Sequence, residues 1–516
     1  MLLKEILPRI KGKAHRVTFL SETGNELVKS FDELHQDTLT LVDSLHRVGI
    51  AAGERVGIWA PNSYHWMVWD LALLTLDAIS VALPQEASSE PMAALVDRLG
   101  LRLLAVAPEF ARDAAGLAPF AVHPDNLGLE GEVRPASQPP YSHRPATLSH
   151  VFSSGTTGKT KGLIISAPGT ERLVGLFHAA FGIVEQERLL SFLPFANYQQ
   201  RMTYYFCLYY GAEFVSVPFP RLFASLKIYQ PTFVIAPPVF HEAIHNMTLA
   251  TVDRKTHADP ADYQGALAQR LKDLLGGRMR YMITGMAPIK RTTLDFFWAH
   301  GVELYEAFGI TEAGMVCWNK PGQVKLGTVG RPAEAGTVAL RDDGEVLITR
   351  DALLSFGYFE SSEEDARSTF VVPGSVATGD IAEFDSDGYV TIVGRKKDAI
   401  ITRSGEKFHP EAIEAKLQVL PGVKAVVVLG GDSVPAITAL AVLPANASPT
   451  LGAELKELVV TVNATLPAYQ QVKRLMLTEV DLTIENGLRT KNMKLNRRAI
   501  AQQYLAHPAQ LIGGKG

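Results

Sequence analysis

A stretch rich in glycines and hydroxyls lies between two short apolar runs and reads Ser153-Ser154-Gly155-Thr156-Thr157-Gly158-Lys159-Thr160-Lys161-Gly162. The apolar runs on both sides predict a loop between two strands. Its three glycines let the backbone turn tightly, and its hydroxyls, lysines and N–H groups suit phosphate oxygens. A P-loop is excluded, because that motif needs a glycine five positions before Gly158, where Ser153 stands. The stretch therefore predicts a nucleotide-phosphate site of another kind.

The composition is that of an ordinary globular protein. The chain has 516 residues, 47% of them hydrophobic and 20% charged, which predicts a large domain and at least one smaller one. A net charge of −4 gives no reason to expect nucleic acid or an anionic membrane as a partner. The longest apolar stretch, residues 66–83, is interrupted by Asp70 and Asp77, so we expect no membrane span.

Two cysteines, Cys207 and Cys317, are too few for a disulfide framework or a metal cluster. We expect both to be small core residues and not nucleophiles. The N-terminus, residues 1–5, has no signal-peptide pattern. These features together indicate a cytoplasmic enzyme.

Strands and helices alternate along the first fifth of the chain, which favours an α/β fold with covered parallel sheets. Periodicity predicts helices at 31–48, 67–76, 90–99, 411–417 and 451–466. Strands are predicted at 55–60, 78–84, 101–106, 231–238, 279–284, 344–348, 423–430 and 436–443, and the stretch 189–198 is predicted to be a strand that ends in a turn. The segment 116–145 has no periodicity and is predicted to be a loop.

A second group of chemically useful residues lies in the segment Tyr305–Glu312. Phe308 can stack on a purine ring, and Thr311 can donate a hydrogen bond to a phosphate. Glu312 can hold Mg²⁺ through its carboxylate oxygens. The alternative for this segment is a buried aromatic residue beside a surface turn.

Both segments resemble motifs of the adenylate-forming superfamily. The first resembles the AMP-binding signature Ser-Gly-Thr-Thr-Gly-x-Pro-Lys-Gly, with Thr160 in place of proline, and the second resembles Tyr-Gly-x-Thr-Glu, with Phe308 for tyrosine. Residues 485–494 resemble the Glu-Asn-Gly-Leu-x-Thr-x-x-x-Lys of the long-chain acyl-CoA synthetase branch. Weaker matches stand in the family's order at 285–288, 378–380 and 394–398. By itself Thr378-Gly379-Asp380 is a common tight turn.

The resemblance implies a role for each matching residue. It implies that Lys494, Thr311 and Glu312 are catalytic, with Glu312 as the Mg²⁺ ligand. It implies that ATP and AMP are bound by Ser153, Ser154, Gly155, Thr156, Thr157, Gly158, Lys161, Gly285, Met286, Ala287, Glu306, Ala307, Phe308, Thr311, Asp380 and Arg395. It implies that the acid is contacted by Asn197, Tyr198, Gly285, Ala307 and Gly309.

The resemblance also implies two domains. A large N-terminal adenylation core of packed β-sheets with covering helices, residues 1–396, would be followed by a small mobile α+β lid, residues 397–516. Lys397 would be the hinge, and Gly405 would lie in the loop that faces the acceptor. If the alignment of residues 485–494 with the family motif is shifted, Lys491 takes the catalytic role of Lys494.

The activity implied is ATP-dependent ligation of a small carboxylic acid through an acyl-adenylate, with release of pyrophosphate. CoA is the expected acceptor, and an amino acid, another amine or a carrier protein is the alternative. Departures from the family pattern at Asn197, Gln200 and Met286 favour a specialised acid over a common fatty acid. A non-catalytic nucleotide-binding protein is the second class, and a P-loop NTPase, which would release ADP and phosphate, is the third.

Overall fold

Backbone structure is described for thirteen ranges of the chain in a computed structural model. These ranges are 2–83, 91–114, 117, 121–129, 133–135, 145–154, 160–182, 184–257, 259–402, 405–431, 436–483, 485–489 and 495–506. No helix within them is both long and apolar enough to span a membrane.

The helices cover the faces of the sheets. In chain order they are α1 (Ile6–Ile10), α2 (Phe31–Arg47), α3 (Tyr64–Thr75), α4 (Met92–Leu99), α5 (Ala167–Phe181), α6 (Tyr198–Tyr210), α7 (Leu222–Tyr229), α8 (Pro238–Thr251), α9 (Pro260–Leu274), α10 (Arg291–Ala299), α11 (Glu363–Thr369), α12 (Glu411–Leu417), α13 (Leu451–Asn463) and α14 (Arg497–Ala506). The predicted helices at 31–48, 67–76, 90–99, 411–417 and 451–466 correspond to α2, α3, α4, α12 and α13.

The strands form five sheets. In chain order they are β1 (Arg16–Leu20), β2 (Glu26–Ser30), β3 (Arg55–Trp59), β4 (Ile79–Ala82), β5 (Leu101–Val106), β6 (Ala121–Val122), β7 (Thr147–Ser154), β8 (Thr160–Ser166), β9 (Arg188–Ser191), β10 (Glu213–Ser216), β11 (Phe233–Ala236), β12 (Tyr281–Thr284), β13 (Glu303–Ile310), β14 (Gly314–Trp318), β15 (Arg331–Pro332), β16 (Val338–Leu340), β17 (Glu345–Thr349), β18 (Ser355–Glu360), β19 (Ser375–Phe384), β20 (Val390–Arg395), β21 (Ile400–Ile401), β22 (Lys407–Phe408), β23 (Ala425–Leu429), β24 (Thr438–Val442) and β25 (Arg474–Thr478).

Two large sheets form the N-terminal part. The nine-stranded sheet has the order β15-β14-β13-β12-β11-β9-β10-β1-β2 and is parallel from β13 to β1. The seven-stranded sheet has the order β18-β8-β7-β4-β3-β5-β6, and its β8 is antiparallel to both neighbours. This architecture confirms the predicted mixed α/β fold with a sheet-rich N-terminal part.

The nine-stranded sheet is buried on both faces because its side chains alternate between two cores. Phe233 and Tyr281 pack into the main core, whereas Val234 and Met282, one position further along each strand, pack into a second core on the other face. Successive side chains of a strand point to opposite faces, so a strand covered on both sides is a continuous apolar run. Such runs are what the sequence shows.

Three smaller sheets follow. The antiparallel sheet β16-β17-β19-β20 packs against the hairpin of β13 and β14. The C-terminal part contains the short pair β21-β22 and the sheet β23-β24-β25, with its own apolar cores. Both cysteines are buried, as predicted.

Capping residues explain where several helices begin and end. Ser30 and Glu33 form a reciprocal capping box at the start of α2, which satisfies backbone N–H groups that the first turn leaves open. Ser166 caps α5, and Gly182 ends it in the left-handed conformation.

The structure corrects two predictions about local structure. The stretch 189–198, predicted as a strand ending in a turn, is a strand to Ser191 followed by a turn at 195–197, and only Tyr198 differs, because it is already the first residue of α6. The tight turn predicted at 378–380 lies inside β19, where Ala377 pairs with Leu347 but Ile381 pairs with Glu345. The extra residues bulge from the strand, and Gly379 accommodates this with a φ of +74°.

Candidate active site

An apolar cavity lies at the carboxyl ends of the parallel strands β11, β12 and β13. Its volume is about 760 Å³ including its open side. Helices α5 and α6 form the facing wall. It is lined by Leu173, Val174, Phe177, Gln199, Gln200, Met202, Thr203, Phe206, Ile235, Ile283, Thr284, Gly285, Met286, Ala307, Gly309, Met315 and Trp318. A crevice at the carboxyl ends of parallel strands is the usual ligand site of such sheets.

Glycines permit the close backbone packing at one side of the cavity. Strands β12 and β13 run parallel with Thr284 opposite Glu306, so Gly285 and Ala307 follow at the same level. A Cβ on Gly285 would lie 3.0 Å from the carbonyl oxygen of Ala307. A Cβ on Gly309 would lie 2.5 Å from the carbonyl oxygen of Gly314. Gly285, Ala307 and Gly309, which were assigned to the acid on resemblance, all line this one cavity.

The carboxylate of Glu312 is held by strand β18. Its Oε1 accepts a hydrogen bond of 2.6 Å from the Tyr358 hydroxyl, and its carbonyl oxygen accepts one of 2.7 Å from the Ser355 hydroxyl. Burial and the Glu312 charge raise the pKa of Tyr358 above its usual value, so the hydroxyl keeps its proton and donates it. The turn after β13 is therefore fixed to β18 at two points.

This contact brings Glu312 to the hairpin of β7 and β8, which carries residues 153–162. Tyr358 pairs with Leu163 of β8, and Ser154 of β7 pairs with Thr160 of β8. Strands therefore lie on both sides of the predicted loop, as the two apolar runs predict. Residues 155–159 and the side chains of Ser153, Ser154 and Lys161 lie outside the described residues.

Three further residues of the segment Tyr305–Glu312 are partly buried, namely Glu306, Phe308 and Thr311. Phe308 is half-buried against the core of the four-stranded sheet, and Thr311 is half-buried beside Glu312. Burial raises the pKa of the Glu306 carboxyl to about 7, and a 2.8 Å hydrogen bond from the Gly327 N–H partly lowers it. Glu306 is thus a carboxyl group that titrates near neutral pH.

The loop after β12 carries Met286 and Ala287. Met286 lines the cavity with a φ of +70°, in the left-handed region that β-carbon sterics disfavour. Ala287 is exposed. The Met286 side chain therefore fills space in the cavity that a glycine at this position would leave open.

Asp380 and Arg395 face each other across β19 and β20. Oδ1 of Asp380 lies 3.0 Å from Nε of Arg395, and the Asp380 N–H donates a 3.0 Å hydrogen bond to the Thr378 hydroxyl. Asp380 is buried, whereas about a third of the Arg395 side chain is exposed. The structure brings these two predicted residues together on the sheet that packs against β13 and β14.

Asn197 and Tyr198 stand apart from the cavity. Asn197 precedes α6 as its N-cap, and Tyr198 is fully buried with its hydroxyl 2.7 Å from that of Thr170. The next residues of the same helix, Gln199 and Gln200, do line the cavity. Helix α6 thus forms a wall of the cavity through its first turn and the residues that follow.

The predicted hinge, acceptor loop and catalytic lysine belong to the C-terminal part. Lys397 lies in a short 3₁₀ turn, with its Nζ 3.9 Å from Oδ1 of Asp365. Gly405 is exposed with a φ of +92°. Lys491 and Lys494 lie outside the described residues.

Several residues of the site were not identified from the sequence. Thr284 ends a buried strand, and a polar residue there was a signal that could have been used. Phe177, Phe206 and Trp318 read as ordinary core residues in the sequence. Tyr358 has no local signal, because its contact with Glu312 depends on how β18 pairs with β8.

The donors present fit a magnesium ion. Within the described ranges, no group of three or more His, Cys, Asp or Glu residues could hold a metal. Mg²⁺ differs from transition metals in needing one or two carboxylates, with waters and substrate phosphates completing its shell. Glu312, with the Thr311 hydroxyl beside it, supplies a carboxylate of that kind.

Two family models match the chain. Residues 11–351 match the AMP-binding enzyme family, and residues 397–508 match the AMP-binding enzyme C-terminal domain. The long-chain-fatty-acid–CoA ligase FadD15 of Mycobacterium bovis is 26% identical over 89% of this chain and 88% of its own length.

Solved structures share the fold. The anthranilate CoA ligase AuaEII, in complex with anthranoyl-AMP, aligns over 98% of both chains with a TM-score of 0.79 and 20% identity. The amide bond synthetase McbA of Marinactinospora thermotolerans aligns over 97% of this chain and 99% of its own, with a TM-score of 0.75 and 20% identity.

Proposed function

The chain belongs to the family of AMP-binding enzymes and is an adenylate-forming acid ligase, and from this premise we propose that it joins a small carboxylic acid to the thiol of CoA. One observation carries the proposal. Glu312, fixed by Tyr358, lies beside the hairpin of the phosphate-binding motif, and the same segment supplies Ala307 and Gly309 to an apolar cavity. The carboxylate proposed to hold Mg²⁺ and two residues that line the cavity thus lie within six residues of one another, in one strand and the turn that follows it.

The first half-reaction would form an acyl-adenylate. An oxygen of the substrate carboxylate attacks the α-phosphorus of ATP, the bond between the α-phosphorus and the bridging oxygen breaks, and pyrophosphate leaves. Catalysis of this kind depends on positioning and on positive charge. Glu312 would hold Mg²⁺, which offsets phosphate charge when bound. Residues 153–162 would surround the phosphates, and Lys494 would contact the carboxylate and the α-phosphate.

The second half-reaction would transfer the acyl group. The CoA sulfur attacks the acyl carbon, AMP leaves, and the thiol proton is released. Asp380 and Arg395 would hold the ribose through both steps. The lid, residues 397–516, would rotate about Lys397 to withdraw Lys494 and to bring Gly405 towards the acceptor. Hinge rotation of this kind is a known way to use one site for two reactions.

CoA is the proposed acceptor because the relative described above, which aligns with most of this chain, is named as a CoA ligase. An amine or a carrier-protein thiol would attack the same acyl carbon, so the acceptor has to be found by experiment. The experiment is pyrophosphate release with ATP·Mg²⁺ and a panel of aliphatic, cyclic and aromatic acids, first alone and then with CoA or amino acids. Faster release and a thioester product with CoA would support the proposal, whereas an amide product would replace it.

Replacement of Lys494 tests the register of the C-terminal motif. We expect Lys494→Ala to lower acid-dependent pyrophosphate release by roughly 100-fold or more, because one positioned charge is lost from the transition state. ATP binding, measured by calorimetry, should be largely retained. Lys491→Ala is the matched control and should keep most of the activity. If the two variants exchange these results, Lys491 is the catalytic residue, and if neither changes the rate, the assignment is wrong.

A further inference from the structure

The lining of the cavity carries information about the acid. Within the described residues, no charged side chain lines it. A second ionised group on the substrate would lose its hydrating water and find no oppositely charged side chain among the described lining residues. Such desolvation is strongly unfavourable in an apolar site. The cavity therefore suits a monocarboxylic acid whose body is uncharged.

The far wall of the cavity is a packed aromatic cluster. Phe177, Phe206 and Trp318 line the cavity, and each is at most 9% exposed. Behind them, Phe181 lies 4.8 Å from Phe177 and 5.8 Å from Trp318 between ring centroids, and Phe233 lies 5.6 Å from Phe206. A long alkyl chain could not extend past this wall without displacing the cluster, and interiors packed to this extent yield little. The wall favours a compact body, and its rings suit a planar one.

Four polar side chains interrupt the apolar lining, those of Gln199, Gln200, Thr203 and Thr284. The Thr284 hydroxyl is buried without a hydrogen-bond partner in the described part of the chain. Gln200 is 3% exposed and lines the cavity. The Thr203 hydroxyl is paired, since it donates to the Gln200 carbonyl oxygen at 2.5 Å. Buried polar groups are normally paired, so a ligand or a water in the cavity would pair with the Thr284 hydroxyl, and the Gln200 amide offers a second polar group in the same lining.

From these observations we propose that the acid is a compact monocarboxylic acid, such as a ring acid, that carries a neutral hydrogen-bonding substituent which pairs with Gln200 or Thr284. This inference rests on the proposed function. A hydroxyl or carbonyl substituent can form a hydrogen bond with the Gln200 amide or the Thr284 hydroxyl. An unsubstituted body displaces water from both groups and leaves them unpaired, which disfavours its binding by roughly 10- to 100-fold.

The test uses the full chain and matched pairs of acids. Pyrophosphate release is measured with ATP·Mg²⁺ and benzoate, the three hydroxybenzoates, terephthalate, cyclohexanecarboxylate and its oxo derivative, dodecanoate and palmitate. We expect at least one substituted ring acid to exceed its unsubstituted parent by about ten-fold or more in kcat/KM. Terephthalate and palmitate should be poor substrates.

Two variants tie the preference to its cause. Gln200→Leu and Thr284→Val keep side-chain size but remove the hydrogen-bonding groups. At least one of them should remove most of the preference for the substituted acid over its parent, measured as the ratio of the two kcat/KM values. Gln269→Leu, at an exposed position of α9, is the control and should change neither. Circular dichroism of each variant checks that the chain is folded.

The outcomes separate this inference from the proposed function. Release that is fastest with palmitate or dodecanoate would overturn the inference and leave the ligase activity standing. A preference that neither variant alters would also overturn it. Calorimetric binding of the acids does not need turnover. Binding of a hydroxybenzoate that depends on Gln200 or Thr284, without pyrophosphate release from any acid, would support the inference and overturn the proposed function. Failure of every acid both to bind and to react would overturn both.

Discussion

Arg201 and Asp70 form an ion pair inside the main core. Their side chains are 0% and 1% exposed, and Nη2 of Arg201 lies 2.7 Å from Oδ1 of Asp70. Tyr204 and Tyr205 both donate to Oδ2 of Asp70. The pair joins α6, which lines the cavity, to α3 on the opposite side of the core. Because every charged oxygen has a partner, the buried carboxylate is tolerated.

Removal of the Arg201 charge should destabilise the protein strongly. We expect Arg201→Met to lower the free energy of unfolding by about 3–5 kcal/mol, since Asp70 would stay buried without its counter-ion. Denaturant unfolding measures the loss. Lys4→Met is the matched control, because Lys4 and Asp77 form an exposed pair with 64% and 55% of their side chains accessible, and it should cost at most about 1 kcal/mol. A loss below 1 kcal/mol for Arg201→Met would contradict this account.

Glu306 should make the stability of the protein depend on pH. Burial raises the pKa of its carboxyl to about 7 in the folded protein, from a usual value of 4.5. The folded state therefore binds this proton more tightly than the unfolded state. The contribution of Glu306 is fully present below pH 4.5 and is lost as the pH rises towards 7.

Replacement by glutamine isolates this contribution. We expect Glu306→Gln to show a smaller decline of unfolding free energy between about pH 4.5 and 7 than the wild type, because the amide does not titrate. Thermal unfolding at a series of pH values measures the difference. Glu303→Gln, at an exposed position of the same strand, is the control. Parallel curves for the wild type and Glu306→Gln would show that Glu306 titrates outside this window.

At the scale of elements, the bulge between β13 and β14 shapes one side of the cavity. Their pairing shifts between Phe308 and Gly309, and Gly309 packs directly against the backbone of Gly314 and Met315. Gly309 and Met315 both line the cavity. A side chain at position 309 would separate the two strands.

We expect Gly309→Ala to destabilise the protein by roughly 1–3 kcal/mol, because its Cβ would lie 2.5 Å from the Gly314 carbonyl oxygen. Acid-dependent pyrophosphate release should fall as the cavity is distorted. Gly175→Ala is the control: it lies inside α5 with no atom within 4 Å of the added Cβ. That change should stabilise the helix by about 0.5–1 kcal/mol. Equal effects of the two changes, followed by thermal unfolding, would contradict the packing argument.

At the scale of the whole molecule, Lys290 connects the N-terminal and C-terminal parts. Its Nζ donates to the carbonyl oxygens of Val423 and Lys424, at 3.0 Å and 3.3 Å. Lys290 precedes α10, and Val423 precedes β23. A rotation of the lid about Lys397 would have to break both hydrogen bonds.

Loss of this contact should loosen the C-terminal part. We expect Lys290→Met to increase amide hydrogen exchange several-fold in peptides that cover 418–430, because two charge-assisted hydrogen bonds are removed. Mass spectrometry measures the exchange. Lys424→Met is the control, since that side chain pairs with Asp481 inside the C-terminal part and the Lys424 carbonyl remains. No difference between the wild type and Lys290→Met would show that other contacts hold the two parts together.

Local patterns in the chain determined the class of fold, five of the fourteen helices in the described ranges, and the two strands on either side of residues 155–159. Apolar periodicity, capping residues and glycines act over a few neighbouring residues, so they can be read along the chain. The same patterns did not predict that 378–380 lies inside β19, because the ladder partners of a strand decide where it bulges.

Much of the cavity lining was decided by tertiary structure. Phe177, Thr284 and Trp318 come from three elements far apart in the chain, and Tyr358 reaches Glu312 only because β18 pairs with β8. Asn197 and Tyr198 carried the family's substrate motif, yet the first turn of α6 directs Gln199 and Gln200 to the cavity and buries Tyr198. A motif specifies which residues are present, whereas the packing of helices on a sheet determines which of them face a common space.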